Sequence, residues 1–208
     1  YKRKYGISIT RIKPRKTFKD WYLGIVTRGE MEGQVRGTPL ITAPCYWRRE
    51  AKEISFNDWI KAEGITEFKK YVGYVFHEYD RWKDIDKHDA IAPLVDWKWN
   101  ENEVRAYLRE NMIENKLYQH FDRTGCAICP KQSDAFYNVY RYYPKHWEQA
   151  KQIEKEVYDL RAKRGEEQRP SYHTEKFSWE LEKDFKRKDM QMELELDFDP
   201  PQDCFCKI

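Results

Sequence analysis

Apolar and polar residues alternate at three places in the chain, a pattern that is typical of short β-strands. One strand is predicted over Ile7–Ile12, where three isoleucines alternate with polar residues. A second is predicted over Tyr71–Phe76, and "IAPLVDW" (91–97) reads as a third short extended piece. Since each segment is short, the sequence predicts few strands.

A different apolar spacing, every three or four residues, predicts the helices. In "NENEVRAYLRENMI", Asn100 and Glu103 have the spacing of a capping box. Ser133 is predicted to cap a helix over "DAFYNVYRYY", and Pro144 to open a longer one. Helices are also predicted near Phe18–Leu23, near Tyr46–Lys52 and over Ser178–Lys188, with a linker over 164–176.

Because strands and helices alternate, the sequence predicts an α/β fold. The chain has 208 residues, of which 36% are charged and 16% aromatic. This composition indicates a soluble globular domain with an aromatic core. The net charge of +3 is too balanced to indicate a nucleic-acid partner by itself. No apolar run is long enough to cross a bilayer, and the opening "YKRKYGISIT" is no signal peptide. A cytoplasmic protein is therefore expected.

The five cysteines are the chain's most distinctive chemistry. Cys126 and Cys129 form a CxxC, Cys204 and Cys206 form a CxC, and Cys45 stands alone. Since nothing suggests secretion, disulfides are not expected. A thioredoxin-like redox pair usually has an aromatic residue before its first cysteine, whereas glycine precedes this one.

A metal site fits the cysteines better, because zinc and iron–sulfur clusters both accept four thiolates. The candidate ligands are Cys45, Cys126, Cys129 and one of Cys204 or Cys206. Two alternatives stay open. Cys45 and a tail cysteine could be buried thiols, and His120 could replace one thiolate.

Several motifs in order resemble the phosphoadenylyl-sulfate (PAPS) reductase family of the adenine-nucleotide α-hydrolase group. They are "APLVDW", "NKLY", "GCAICP" and "YYPKHWEQAKQIE". "GYVFHEYDR" resembles the family pattern G-x-x-x-x-E-x-x-R, which maps onto Gly73, Glu78 and Arg81. The resemblance implies a Rossmann-like parallel sheet with a helical C-terminal portion. The expected domains are residues 1–165, a partial reductase-like domain, and 166–208, a helix and a cysteine tail that completes the metal site.

The resemblance also implies a function in sulfur transfer or activation. ATP or adenylylated sulfate would be the nucleotide, with a [4Fe–4S] cluster, or alternatively zinc, as cofactor. Arg48, Arg49, Lys52, Glu78 and Arg81 are the expected nucleotide-binding residues. Nucleic acid or a sulfur-donor protein is the expected further partner, and no catalytic residue is assigned.

One family element is missing from the sequence. The phosphate-binding loop S-G-G-K-D-S does not occur, and the first residue is Tyr1. The chain is therefore expected to be the C-terminal part of a longer protein, inactive toward ATP by itself, because the loop's backbone amides hold the phosphates. The alternative function is a zinc-stabilised nucleic-acid-binding module without catalysis.

Overall fold

The computed structural model describes residues 6–37, 45–85, 89–122 and 125–197, with side chains as far as residue 192. The chain divides into two compact units. The first comprises Tyr1–Ser55 and Gly125–Ile208, and the second comprises Phe56–Thr124. The predicted domain boundary between residues 165 and 166 stays a prediction.

The described residues are mostly helical. In chain order the α-helices are α1 (Phe18–Tyr22), α2 (Tyr46–Arg48), α3 (Ser55–Ala62), α4 (Tyr79–Trp82), α5 (Pro93–Asp96), α6 (Glu101–Glu110), α7 (Phe136–Tyr142), α8 (Pro144–Arg164) and α9 (Ser178–Asp197). A π-helical turn, Arg49–Ile54, joins α2 to α3, and 3₁₀-helices cover Lys116–Gln119 and Pro130–Ala135. The strands are β1 (Lys70–Tyr71) and β2 (Ala90–Ile91). Within the described ranges, no helix is both long and apolar enough to span a membrane.

The long helix α8 organises the first unit. As predicted, it opens with Pro144, and it ends at Gly165 in the left-handed conformation that favours glycine. An apolar stripe along one face of α8 packs into the core, with Trp147, Ala150 and Val157 buried. Helix α9 packs against α8, and the rings of Trp147 and Phe185 lie 5.4 Å apart. The two helices are antiparallel. Tyr158, late in α8, contacts Trp179 at the start of α9, and Lys151, earlier in α8, pairs with Glu182 further along α9.

The segment between α8 and α9 is packed, so the prediction of a linker over 164–176 is wrong. Ser171 and Tyr172 are fully buried there. The buried Glu154 carboxylate on α8 accepts hydrogen bonds from the backbone N–H of Ser171 (2.5 Å) and of Ser178 (2.6 Å). A buried carboxylate must be hydrogen-bonded, and these two backbone donors hold the segment against the helix.

The second unit holds the only β-ladder between strands in the described residues. Strands β1 and β2 pair in parallel, with Lys70 opposite Ala90 and Tyr71 opposite Ile91. The predicted strand over Tyr71–Phe76 is thus wrong beyond its first residue, since the Phe76 N–H bonds instead to the Trp99 carbonyl (2.8 Å).

Three other local predictions are wrong. The extended piece over 91–97 is limited to its first residues, because helix α5 covers Pro93–Asp96. Residues 7–12 form no strand, because Ile7 and Ile9 are exposed and the segment pairs with no neighbour in the described part of the chain. Ser133 does not cap α7, since a 3₁₀-helix runs through it and α7 begins only at Phe136. The capping box of α6 is confirmed, with Asn100 and Glu103 each bonding the other's backbone N–H.

Helices together with a parallel strand pair agree with the α/β prediction in coarse terms. The larger Rossmann-like sheet stays a prediction, because the described residues show one pair of two-residue strands.

Candidate metal centre

A cavity of about 210 Å³ in the first unit brings together three cysteines from two distant parts of the chain. Cys45 comes from the start of α2, and Cys126 and Cys129 come from the CxxC loop. None of the three is in a disulfide. The remaining lining is mostly apolar or aromatic: Phe18, Tyr22, Trp47, Ala127, Ile128, Pro130, His146, Gln149, Ala150, Ile153 and Tyr172.

The CxxC loop owes its shape to the residues around it. Cys129 precedes the 3₁₀-helix, whose first residue is the buried Pro130, and the Cys129 carbonyl accepts from the Gln132 N–H at 2.8 Å. Gly125 lies against the Gln132 side chain, whose Oε1 would come within 2.7 Å of an added Cβ. The loop therefore folds back on itself and places both of its cysteines on the cavity wall.

Cys45 reaches the same cavity from the N-terminal end of α2, where its backbone is extended. It is half-buried, and the next residues turn into the π-helical segment that carries Lys52. Residues 38–44 before it lie outside the described residues. A π-helical turn is rare and often occurs at functional sites.

The Cys126 thiol is influenced by both of the other cysteines. Partial burial of the sulfur is the largest cause that raises the pKa of the Cys126 thiol, although the residue as a whole is exposed. The negative charges of Cys129 and Cys45 raise the pKa further, and the Lys52 ammonium lowers it. Thiolates so placed repel one another, and a bound cation would remove that repulsion.

Aromatic rings form one wall of the cavity. Phe18 packs on Tyr22 at 4.7 Å and on Trp47 at 5.4 Å, and Tyr22 stacks on Tyr172 at 5.7 Å. Burial raises the pKa of both tyrosines, and the Tyr22 hydroxyl donates to the Ser171 carbonyl at 3.1 Å. This wall excludes water from one side of the cysteines and adds no competing charge.

His146 also lines the cavity, although the sequence suggests an ordinary surface histidine. It lies in the first turn of α8, and Ala150 and Ile153, which follow at helical spacing, line the cavity too. This helical spacing is a signal in the sequence that places His146 on the same face of α8 as the apolar residues. The sequence does not show that this face of α8 lies against the CxxC loop.

The set of metal ligands is incomplete in the described structure. Cys204 and Cys206 lie outside the described residues, so the tail ligand stays a prediction. Among the residues that the structure describes, no group of three or more His, Cys, Asp or Glu side chains is arranged to hold a metal ion. His120 ends a 3₁₀-helix of the second unit and does not line the cavity.

The predicted nucleotide residues fall in both units. Arg48 pairs with Glu53 at 2.8 Å in the first unit. Arg49 and Lys52 are exposed in the same π-helical turn. The structure does not describe these three as one site with Glu78 and Arg81.

In the second unit, Glu78 and Arg81 form the ion pair that their spacing favours. The Arg81 guanidinium lies 4.7 Å from the centre of the Tyr74 ring, and the other Glu78 oxygen accepts from the Val75 N–H at 3.2 Å. The pair is thereby fixed to the segment that follows β1.

Comparisons with protein-family models, with curated proteins and with solved structures found no match. The family resemblance therefore stays an expectation that depends on the order of the motifs.

Proposed function

We propose that this chain belongs to a PAPS reductase-like protein of sulfur transfer or activation that acts on an adenine nucleotide. Its cysteines would hold a [4Fe–4S] cluster. One observation carries the proposal: Cys45 and the distant CxxC pair Cys126 and Cys129 are free of disulfides and line a single, mostly apolar cavity.

The donor set fits a thiophilic metal. Three thiols with few competing oxygen ligands suit zinc or iron–sulfur chemistry and do not suit magnesium or calcium. A structural zinc site closes tightly around one ion, with Zn–S distances of about 2.3 Å. The cavity of about 210 Å³ has room for a cluster as well as for a single ion, and the family resemblance favours the cluster.

The chain's own residues would control the centre. The CxxC loop and the start of α2 supply thiolates, and the aromatic wall with Tyr172 limits access of water. The Lys52 ammonium would offset part of the negative charge of a thiolate-ligated centre. A bound cluster would supply a redox-active or structural centre whose potential depends on charge and solvent exposure.

The nucleotide part of the proposal is supported by the motif around Arg81. Its guanidinium is exposed yet held in place by the Glu78 carboxylate and by the Tyr74 ring. A guanidinium fixed in this way can form two parallel hydrogen bonds to a phosphate. The Rossmann-like sheet that the resemblance implies belongs to the same proposal.

The test is anaerobic purification of the full chain followed by iron, sulfide and zinc analysis and a visible spectrum. Wild type is expected to be brown, and Cys45→Ser, Cys126→Ser and Cys129→Ser are each expected to lose iron. Of Cys204→Ser and Cys206→Ser, only the ligand's substitution should do so, which makes the other a matched control. Colourless protein with five freely titratable thiols would refute the centre.

The identity of the metal also distinguishes the proposed function from the alternative function, a zinc-stabilised nucleic-acid-binding module. Stoichiometric zinc without iron, together with no binding of ATP by wild type or by Arg81→Ala, would favour the zinc-stabilised binding module. Iron with ATP binding that weakens in Arg81→Ala would favour the reductase-like protein.

A further inference from the structure

A second cavity lies in the groove between the antiparallel helices α8 and α9, and it takes no part in the proposed metal centre. Its volume is about 570 Å³, and its lining combines lysines with aromatic rings. The lysines are Lys151 and Lys155 from α8 and Lys183 and Lys186 from α9; the rings are Tyr158 and Trp179. We call this the lysine groove.

The spacing of these residues along the two helices shows where each one lies along the groove. On α8 the order is Lys151, Lys155 and Tyr158, and on α9 the order is Trp179, Lys183 and Lys186, so each helix uses steps of four and three residues. Residues at such steps share one helix face. Because the helices are antiparallel, both rings lie at one end, and the lysines extend toward the other.

The aromatic end is a cluster of packed rings that is still partly open to solvent. Tyr158 meets Trp179 edge-on at 5.7 Å, and Trp179 stacks on Phe177 at 4.6 Å. Neither Tyr158 nor Trp179 is buried. The stacked Phe177 ring helps to hold the indole in place.

The charge of the groove is positive after its internal ion pairs are counted. Four ammonium groups face two carboxylates, those of Asp159 and Glu182. Lys151 pairs with Glu148 at 2.6 Å and with Glu182 at 2.5 Å, and Lys186 pairs with Glu182 at 2.7 Å. When Glu148 is counted, four ammonium groups still exceed three carboxylates. Lys155 and Lys183 are exposed and make no ion pair within the described part of the chain.

We propose that the lysine groove binds single-stranded nucleic acid, with Lys155 and Lys183 on backbone phosphates and Trp179 and Tyr158 against unpaired bases. Lysines beside accessible rings match the charge and the base faces of a single strand. A duplex keeps its bases stacked internally and would gain little from the rings. An acidic polypeptide would use the lysines alone.

The test measures fluorescence anisotropy of labelled single strands of about 12 nucleotides, RNA and DNA in separate arms, with the full chain. The central variant is Lys155→Ala/Lys183→Ala. The matched control is Lys145→Ala/Lys163→Ala, which removes two exposed α8 lysines that lie outside the groove and form no ion pair among the described residues.

Each phosphate contact with a single strand contributes about 0.7 to the slope of log affinity against log salt. The groove variant is therefore expected to lower the slope by about 1.4 and to weaken binding about 25-fold at about 0.1 M salt. The control should keep the wild-type slope and affinity.

A second variant, Trp179→Leu, separates stacking from charge. It is expected to weaken binding about fivefold or more while the salt slope stays that of wild type, since stacking releases no counterions. Circular dichroism and thermal unfolding should show that both variants are folded, and their iron content should equal that of wild type.

Four results would overturn the proposal. They are no binding by wild type at low salt, equal losses in the groove and control variants, tighter binding of a duplex of the same length, and full displacement by polyglutamate at equal charge concentration. Unchanged affinity of a folded Trp179→Leu variant would likewise show that bases do not stack on Trp179.

Discussion

At the scale of single residues, buried charge is what most clearly holds the first unit together. Glu154 has almost no contact with solvent and accepts two backbone N–H groups from a segment that otherwise has no regular structure. Arg161, about two turns further along the same face of α8, donates to the Arg169 carbonyl at 3.1 Å and is equally buried. Both side chains thus fix the loop that carries Tyr172 to the cavity.

Replacement of Glu154 by Gln should therefore destabilise the protein by about 2–3 kcal/mol. The amide loses the charge-assisted hydrogen bonds and directs an N–H group at a backbone donor. Urea unfolding measures the change. Glu156→Gln is the matched control, because its partly exposed ion pair with Lys19 contributes less than about 1 kcal/mol. Equal effects of the two substitutions would show that the backbone bonds of Glu154 are unimportant.

Glu182 makes a pH-dependent contribution to stability. Burial opposes its ionisation, but hydrogen bonds from Lys151, Lys186 and Trp147 hold its pKa at about 2, below the ordinary value of 4.5. A depressed pKa stabilises the folded state above the unfolded pKa, and this stabilisation is lost as the pH falls toward 2.

The expected loss between about pH 5 and pH 2 is at most about 3 kcal/mol. Glu182→Gln should flatten that part of the stability profile measured by urea unfolding. A variant whose acid limb matches wild type would contradict the assignment to Glu182.

Gly37 is required by both its backbone and its surroundings. It lies in the left-handed region at φ 58°, and an added Cβ would come within 2.8 Å of the Arg161 Cζ atom. Gly37→Ala should cost about 2 kcal/mol or more, because a buried guanidinium must move. Gly29→Ala, at φ 88° with open space around it, should cost only about 1 kcal/mol. Thermal unfolding of both variants makes the comparison.

At the scale of elements, the sequence predicted what local chemistry determines. The box of Asn100 and Glu103 and the start of α8 at Pro144 are confirmed, because cap and proline act within one turn. The strands were over-predicted, since alternation says nothing about whether a partner strand is present. The cavity position of His146 and the packing of Tyr172 depend on contacts between distant segments, which no local pattern contains.

The capping box gives an element-scale prediction. Asn100→Ala should destabilise the protein by about 1 kcal/mol, because two backbone N–H groups of α6 lose their acceptor. Asn102→Ala, within the first turn of the same helix, is the control and should change stability by less than about 0.5 kcal/mol. A thermal unfolding series of the two variants is sufficient, and equal effects would reject the cap's contribution.

At the scale of the whole molecule, the proposed centre would connect the two sequence segments of the first unit. If Cys45, Cys126 and Cys129 bind the proposed centre, their ligation would close a long loop, so metal binding should add directly to folding. Removal of the metal by a chelator is expected to lower the unfolding midpoint by several degrees. In Cys126→Ser the chelator should have no effect, and an identical shift in that variant would exclude the cysteines as ligands.

Because the first unit consists of two separate chain segments, its cysteines are synthesised at different times. A ribosome releases Cys45 about 81 residues before Cys126, and the whole second unit emerges between them. At about 5–20 residues per second this interval lasts about 4–16 s. During it the first thiol has no partner ligands in the chain, so it is open to oxidation or to capture by other metals. Correct loading in the cell would therefore depend on a reducing environment and on metal delivery late in synthesis.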